Sequence, residues 1–376
     1  MQLRDLSREF ARQGHQVTVM LPCAEQSEAW RIEEMDGVQV LRLKAPATKD
    51  IGYVRRTICE FLMPFFMTAN LLKSPLAHEK WHGVIWYAPS IFHGPFASFL
   101  KKKSRCKSYL IIRDIFPEWA VDMGLMKRGD LPHRVFRLIA RYQYSVADTI
   151  GVQTPGNLKY FEAWAKNPNK KLEVLQNWLG EPANVPCSIR IDETHLSGRK
   201  IFVYAGNMGV AQGMDIILDL AEKMQPKNDV GFIFVGRGSE AERLQQRAKI
   251  LGLNNTLFFD EIHPDEIPDL YAQCKFGIVA LHLKHNSHNI PGKFITYMQS
   301  GLPVLANVNA GNDLAQLIRN EQVGEVCESN RVSELHALAE QLCKHQEKHL
   351  SENNCQQLFK QKFSAENAVQ QIVAAL

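Results

Sequence analysis

The segment Lys200-Ile-Phe-Val-Tyr-Ala205 is an unbroken apolar run that empties into Gly206-Asn207-Met208-Gly209-Val-Ala-Gln212-Gly213 and then into a helical pattern over 213–225. An apolar run without polar alternation reads as a strand buried on both faces, the condition of a parallel sheet flanked by helices. The pattern recurs as a strand at 230–235, the loop Gly236-Arg237-Gly238 and a helix at 239–251. Further strands are expected at 256–259, 276–280 and 303–306. The first half shows the same alternation, with strands expected at 16–21, 38–43, 83–87, 109–113, 149–152 and 172–176. The fold class is therefore α/β, with two Rossmann-like, doubly wound domains facing each other. The expected divisions are an N-terminal domain over 1–180, a linker rich in Pro, Asn, Gly and Ser over 181–199, and a C-terminal domain over 200–354. A last helix over 355–376 is free to cross back to the first domain.

The start of the chain departs from this pattern. Gln2–Gln13 reads as an amphipathic helix that precedes the first strand. A Rossmann-like domain starts instead with a strand, a glycine turn and a helix. The first strand of the N-terminal domain is therefore expected to be missing. The chain is expected to fold poorly or stay inactive until roughly 15–20 upstream residues, one strand plus turn, are restored.

Charge and cysteine usage narrow the function. The net charge is +4, but residues 1–180 carry 26 Lys and Arg against 17 Asp and Glu, and the remainder 18 against 23. The first half is the one drawn to an anionic surface. The eight cysteines form no CxxC and no zinc-ligand spacing, which reads as scattered thiols in a reducing compartment. His282, His285 and His288 fall three apart, but Asn and Lys surround them and no metal is expected. No uncharged apolar run approaches the roughly 20 residues of a membrane span. The expected location is cytoplasmic, peripheral on the inner membrane face. The apolar stretch 53–73, fronted by Arg55 and Arg56, and the basic run 101–107 would together dock on anionic lipid, or else form a core helix and a solvated basic turn. Nucleic acid is not an expected partner, because no known module accompanies the basic run.

Three loops carry candidate ligand chemistry. Gly206, Asn207, Met208 and Gly209 lie between a strand and a helix, where backbone N–H groups and the helix terminus suit a diphosphate; the alternative is a plain βα turn. Gly236 and Gly238 allow close approach of a ligand, and Arg237 would face a phosphate or stack on a base. In Pro291-Gly292-Lys293-Phe-Ile-Thr296, a lysine in a helix's first turn opposes the macrodipole, which a bound anion would compensate; the alternative is a solvated surface lysine. In the first half, Arg113-Asp114-Ile-Phe-Pro-Glu118 ends a strand with charge. Asp114 would orient an acceptor hydroxyl and Arg113 would pair with phosphate, or the two would merely cap the strand. The chain contains no Asp-x-Asp and no GxSxG.

Taken in order, these segments resemble the retaining glycosyltransferases of family GT4. Arg8-Glu-Phe-Ala-Arg-Gln-Gly-His-Gln-Val-Thr-Val19 is similar to the family's first helix and second strand. Arg113-Asp-Ile-Phe-Pro-Glu118 is similar to its acceptor-side strand end, Gly206–Gly213 to its phosphate loop, and Pro291–Met298 with Gly301-Leu-Pro303 to its donor helix. Among its subgroups, the chain is most similar to bacterial O-antigen and capsule enzymes of the L-fucosamine transferase type. The resemblance implies the GT-B fold, two Rossmann-like domains across a cleft. It implies transfer of a sugar, N-acetyl-L-fucosamine in this subgroup, from a UDP-linked donor to a saccharide on a polyprenyl diphosphate, with retention by front-face attack. No metal or other cofactor is implied. Lys293 and the N–H groups of Gly206–Gly209 would stabilise the leaving diphosphate, and Asp114 would position the acceptor, with Arg113 and Glu118 beside it. The donor would also meet Gly236, Arg237, Gly238, Pro291, Gly292 and Thr296. Two departures stand out: the family's Glu-x7-Glu pattern falls on His288 and Thr296, and its basic pair in the phosphate loop falls on Met208 and Gln212. The alternative is a truncated, non-catalytic nucleotide-sugar binder. A sugar-nucleotide epimerase is a third reading, thinly supported by Glu118 and Asp114.

Overall fold

The computed structural model describes residues 2–88, 90–122, 124–282, 290–345 and 350–376. The chain divides into two compact units, Met1–Gln176 with Ala368–Leu376, and Asn177–Asn367.

In the first unit, α1 (Gln2–Arg12) leads into β1 (Thr18–Cys23), β2 (Trp30–Met35) and β3 (Val38–Lys44). The long α2 (Tyr53–Leu71) is followed by β4 (Gly83–Ala88), α3 (Gly94–Ser104), β5 (Lys107–Ile112), α4 (Glu118–Asp122) and α5 (Leu131–Val146). Then come β6 (Thr149–Val152), α6 (Glu162–Ala165) and β7 (Lys171–Val174). The strands form two sheets, β1-β3-β2 and a parallel β4-β5-β6-β7. Among the described residues no strand bridges β1 and β4, so this α/β unit, with helices between its parallel strands as expected, carries two sheets. The antiparallel β2 was not foreseen; its mixed sequence WRIEEM leaves it only partly buried on β3. One core nevertheless serves both sheets. Leu41 and Leu43 of β3 and Trp86 of β4 pack with Met63, Met67 and Leu71 of α2.

The second unit is a six-stranded parallel sheet. Its strands are β8 (Lys200–Ala205), β9 (Val230–Val235), β10 (Thr256–Phe259), β11 (Phe276–Ala280), β12 (Val304–Asn307) and β13 (Gly324–Cys327). Their order is β10-β9-β8-β11-β12-β13. Helices α7 (Asp215–Met224), α8 (Ala241–Ile250), α9 (Ile267–Ala272), α10 (Gly292–Gln299), α11 (Asp313–Glu321), α12 (Val332–His345) and α13 (Leu350–Leu358) follow in chain order, and α14 (Ala365–Val373) starts in this unit and ends in the first. Alternation along each strand sorts the core into two layers. Ile201, Val203 and Ala205 join Phe294 and Met298 of α10 on one face, and Phe202 and Tyr204 join Ile217 and Leu220 of α7 on the other. Residues 181–199, read as a linker, belong to this unit: Cys187, Ile189, Ile191 and Leu196 are core residues of the first layer. Every second side chain is buried over 187–191, and Leu196 follows five residues on, despite the loop-like composition. The unit boundary falls between Gln176 and Asn177. The last residues return to the first unit, where Gln371 Nε2 donates to the Val174 carbonyl at 2.9 Å.

Candidate active site

The two glycine loops of the second unit pack on each other. A Cβ on Gly236 would lie 2.1 Å from the Gly206 carbonyl oxygen, and one on Gly238 would lie 2.2 Å from that of Met208. Both glycines also hold positive φ, 137° and 154°. These glycines thus serve the approach of one loop to the other. The same packing occupies most of the N–H groups assigned to a diphosphate. Gly206 N–H donates to the Val235 carbonyl, Met208 N–H to that of Arg237, and Gly209 N–H to the Gln212 side chain at 3.0 Å. Of the four N–H groups from Gly206 to Gly209, that of Asn207 is the one with no acceptor among the described residues. Met208 is a core residue at 1 % exposure, so its side chain is not a ligand group. Arg237 is exposed and paired with Glu261 at 2.9 Å, rather than aimed at a phosphate.

Among the described residues, the remaining positive charge here is Lys293. Helix α10 is anchored by the Tyr297 hydroxyl, which bonds the carbonyls of Val203 and Ile278 at 3.0 and 3.2 Å. Gly277 makes room for the ring, since a Cβ there would lie 2.6 Å from it. So held, the first turn of α10 places the Lys293 Nζ 3.3 Å from the centre of the Tyr204 ring. A Cβ on Gly206 would come within 3.5 Å of the same nitrogen. Burial pushes the Lys293 ammonium down to about 7. Among the described residues no carboxylate lies within ion-pair distance of it. The Tyr204 hydroxyl donates to the Asn207 carbonyl at 2.5 Å and so fixes the loop that faces the lysine. Tyr204, Tyr297 and Gly277 were not read as site residues; the aromatic at the last strand position but one was the available signal. Pro291 is the N-cap of α10 and Gly292 its exposed first residue. The Thr296 hydroxyl donates back to the Gly292 carbonyl at 3.3 Å. His285 and His288 lie outside the described residues.

In the first unit the strand-end charges behave differently from one another. Arg113 is buried, and its guanidinium donates to the carbonyls of Leu175 and Gln176 at 2.8 and 3.3 Å. Desolvation pulls it down to about 10, opposed by the Tyr87 hydroxyl. It ties β5 to the chain after β7, which corrects its reading as a phosphate partner. Asp114 is exposed, with its pKa raised by partial desolvation and lowered in turn by Arg113. Glu118 pairs with Arg128 at 3.5 Å and lies 3.8 Å from His133, so it braces α4 against α5 rather than standing open to an acceptor. His93, which the sequence reading passed over, directly precedes α3, and burial pulls its imidazole down to about 4. Among the described residues no His, Cys, Asp and Glu cluster has the makings of a metal site. No described helix is long and apolar enough to cross a membrane.

The fold and these loops define a two-domain GT-B-type glycosyltransferase. Residues 1–178 match the glycosyl transferase 4-like domain and residues 199–345 the glycosyl transferases group 1 domain. The chain belongs to the group 1 glycosyltransferases of the GT4 type, enzymes of polysaccharide and lipopolysaccharide biosynthesis among them. It is 24% identical over 241 residues to "Probable glycosyltransferase WbjE" of Pseudomonas aeruginosa, an alignment covering 63% of this chain and 60% of that protein. It is 24% identical over 342 residues to "Putative colanic acid biosynthesis glycosyl transferase WcaI" of Escherichia coli (strain K12), covering 82% and 79%. Among solved structures, sucrose-phosphate synthase of Thermosynechococcus elongatus shares the fold at TM-score 0.68 and 14% identity, over 99% of this chain and 91% of that one. Anabaena Alr3699/HepE, solved with UDP, does so at 0.63 and 16%, over 96% and 99%. WaaG, a glycosyltransferase involved in lipopolysaccharide biosynthesis, does so at 0.61 and 14%, over 100% and 94%.

Proposed function

We propose that the second unit binds a UDP-linked sugar and that Lys293 is the group that stabilises its diphosphate as it leaves. The carrying observation is a desolvated ammonium without a carboxylate partner among the described residues, held at the first turn of α10 opposite Gly206. A cation there opposes the helix dipole and is desolvated, and an anion relieves both costs. Negative charge grows on the diphosphate in the transition state, so the same contact strengthens along the reaction. The Asn207 N–H is the backbone donor left to assist. Gly292, Pro291 and Thr296 border the same helix start. The solved complex of Anabaena HepE with UDP supports UDP as the nucleotide. Lys293 supplies the positive charge that a bridging metal supplies elsewhere, and the reading needs no metal.

On the acceptor side, exposed Asp114 is the candidate to orient the attacking hydroxyl. The departing phosphate takes the hydroxyl proton, and attack from the same face retains the anomeric configuration. The family resemblance, together with the WcaI and WaaG relationships, supports a lipid-linked saccharide as acceptor, in O-antigen or capsule assembly at the inner face of a membrane. The resemblance alone carries N-acetyl-L-fucosamine as the sugar. The comparisons lend the non-catalytic alternative no support.

Thermal denaturation with UDP, GDP and CMP tests this reading. UDP at a hundredfold excess over its Kd should stabilise the chain by about 2.7 kcal/mol, with little response to the others. A flat response to all three nucleotides sinks it.

A further inference from the structure

The face that α2 and α5 turn outward is more apolar than a solvated surface needs. On α5, Leu131, Val135, Leu138 and Tyr142 recur at helical spacing and all are exposed, Leu138 at 71 %. On α2, Ile58, Phe61, Leu62 and Phe65 are exposed as well. The two helices border a common cavity there, with Phe92 and Pro95 between them. Phe61 packs edge-on against Phe92 at 6.4 Å, and a cavity of about 210 Å³ is lined by Phe61, Phe92, Pro95, Leu138, Ile139 and Tyr142. Contiguous apolar surface of this kind marks an interaction site.

Its charge identifies what it meets. Arg134, Arg137 and Arg141 flank the α5 stripe, are exposed, and form no ion pair among the described residues. Helix α5 has no acidic residue, and the only one on α2, Glu60, is bonded to Arg56 at 2.7 Å. A second copy laid on this face would find no free carboxylate for these arginines and would bring like charges together. Aromatic and aliphatic side chains interleaved with arginine are instead what the interfacial layer of an anionic bilayer accepts. The basic run 101–107 is a separate group at the start of β5, with Lys102, Arg105 and Lys107 exposed and its other two lysines engaged. Lys101 is paired with Asp148 at 2.7 Å, and Lys103 donates to the Ala77 carbonyl, both near the edge where β4 and β5 begin.

We infer that the outer face of α2 and α5 docks on an anionic lipid bilayer, with Leu138 and its neighbours inserted and Arg134, Arg137 and Arg141 on the headgroups. This deepens the reading of a lipid-linked acceptor, which requires the enzyme to reach a membrane surface.

Co-sedimentation with vesicles of 70% phosphatidylcholine and 30% phosphatidylglycerol tests it, with pure phosphatidylcholine as the comparison. The chain should pellet with the anionic vesicles alone. The triple variant R134Q/R137Q/R141Q should weaken that binding about a hundredfold, and Leu138→Glu at least tenfold. K102Q/K107Q should stay within about twofold of the parent. The UDP thermal response, run on each variant, shows that folding is intact. Parent-like pelleting of the triple variant and of Leu138→Glu, or no pelleting of the parent, overturns the inference. So does a dimer in light scattering that Leu138→Glu dissolves, which would assign the face to a second copy. Vesicle binding without any UDP response would remove the donor reading and leave the docking face standing.

Discussion

The Lys293 Nζ stands 3.3 Å from the centre of the Tyr204 ring, its charge resting on a π face. A cation–π contact offsets part of the desolvation of an ammonium, by about 1–2 kcal/mol, and leaves it free to receive an anion. Lys293→Met should therefore lower turnover by about a hundredfold or more, the scale of removing one charge-stabilising donor. The same variant should raise the denaturation temperature of the nucleotide-free chain at pH 7. The sign follows from burial. The folded-state pKa lies near 7, below the unfolded value of about 10.4, so between those limits the unfolded chain binds more protons and stability climbs with pH. Methionine removes that penalty, and the difference between the two proteins should vanish toward pH 10. A turnover unchanged by the substitution would take Lys293 out of the reaction.

Nucleotide affinity should carry the same titration. Only the ammonium form attracts the diphosphate, so UDP binding should begin to weaken near pH 7 and fall above it by up to about tenfold per unit. The window from 7 to 9 lies above the phosphate's own last ionisation, about 6. Tyr204, which touches the same ammonium, is raised by burial and stays neutral throughout. Calorimetry in buffers of different ionisation enthalpy should register proton uptake on binding at pH 8, and Lys293→Met should abolish it.

The two glycine loops should be intolerant of a methyl group for a reason unrelated to ligand. Gly236→Ala puts a Cβ 2.1 Å from the Gly206 oxygen at φ 137°. Overpacking plus backbone strain should cost about 3 kcal/mol in urea denaturation. Gly292→Ala, with nothing within 4 Å of its Cβ, should be neutral or mildly stabilising. Equal stabilities for the two variants would contradict the loop packing.

Much of this molecule was legible from local pattern. The six residues Val230–Val235 are apolar without exception and form a strand with those bounds, all buried. What was missed lies in relationships across the chain. The space beside Gly238 is filled by Met208, thirty residues earlier, so the glycine's presence was readable and its purpose was not. Residues 187–196 carry the punctuation of a loop, yet Cys187, Ile189 and Ile191 reach the core, because alternate burial needs only every second side chain, and Leu196 joins them. Lys293 stood out because it breaks a local rule, a cation at a helix start, and such violations concentrate at functional sites.

Arg113 and Asp114 put the distinction between scaffold and site to a direct test, since they are adjacent and carry opposite charge at one strand end. Arg113 is buried with its guanidinium on the carbonyls of Leu175 and Gln176. Arg113→Met strands both acceptors in a desolvated place and should cost about 3 kcal/mol. Arg113→Lys should recover little, because a single ammonium does not reproduce a fork that spans two carbonyls. Asp114 is exposed, so Asp114→Asn should leave the denaturation midpoint unchanged. It should instead lower kcat/KM for the acceptor while UDP binding is preserved. Stability should thus fall with the first residue and transfer with the second. If Asp114→Asn transferred sugar at the parental rate, the acceptor hydroxyl would have to be oriented elsewhere, and neutral His93, at the start of α3, would be the residue to substitute next.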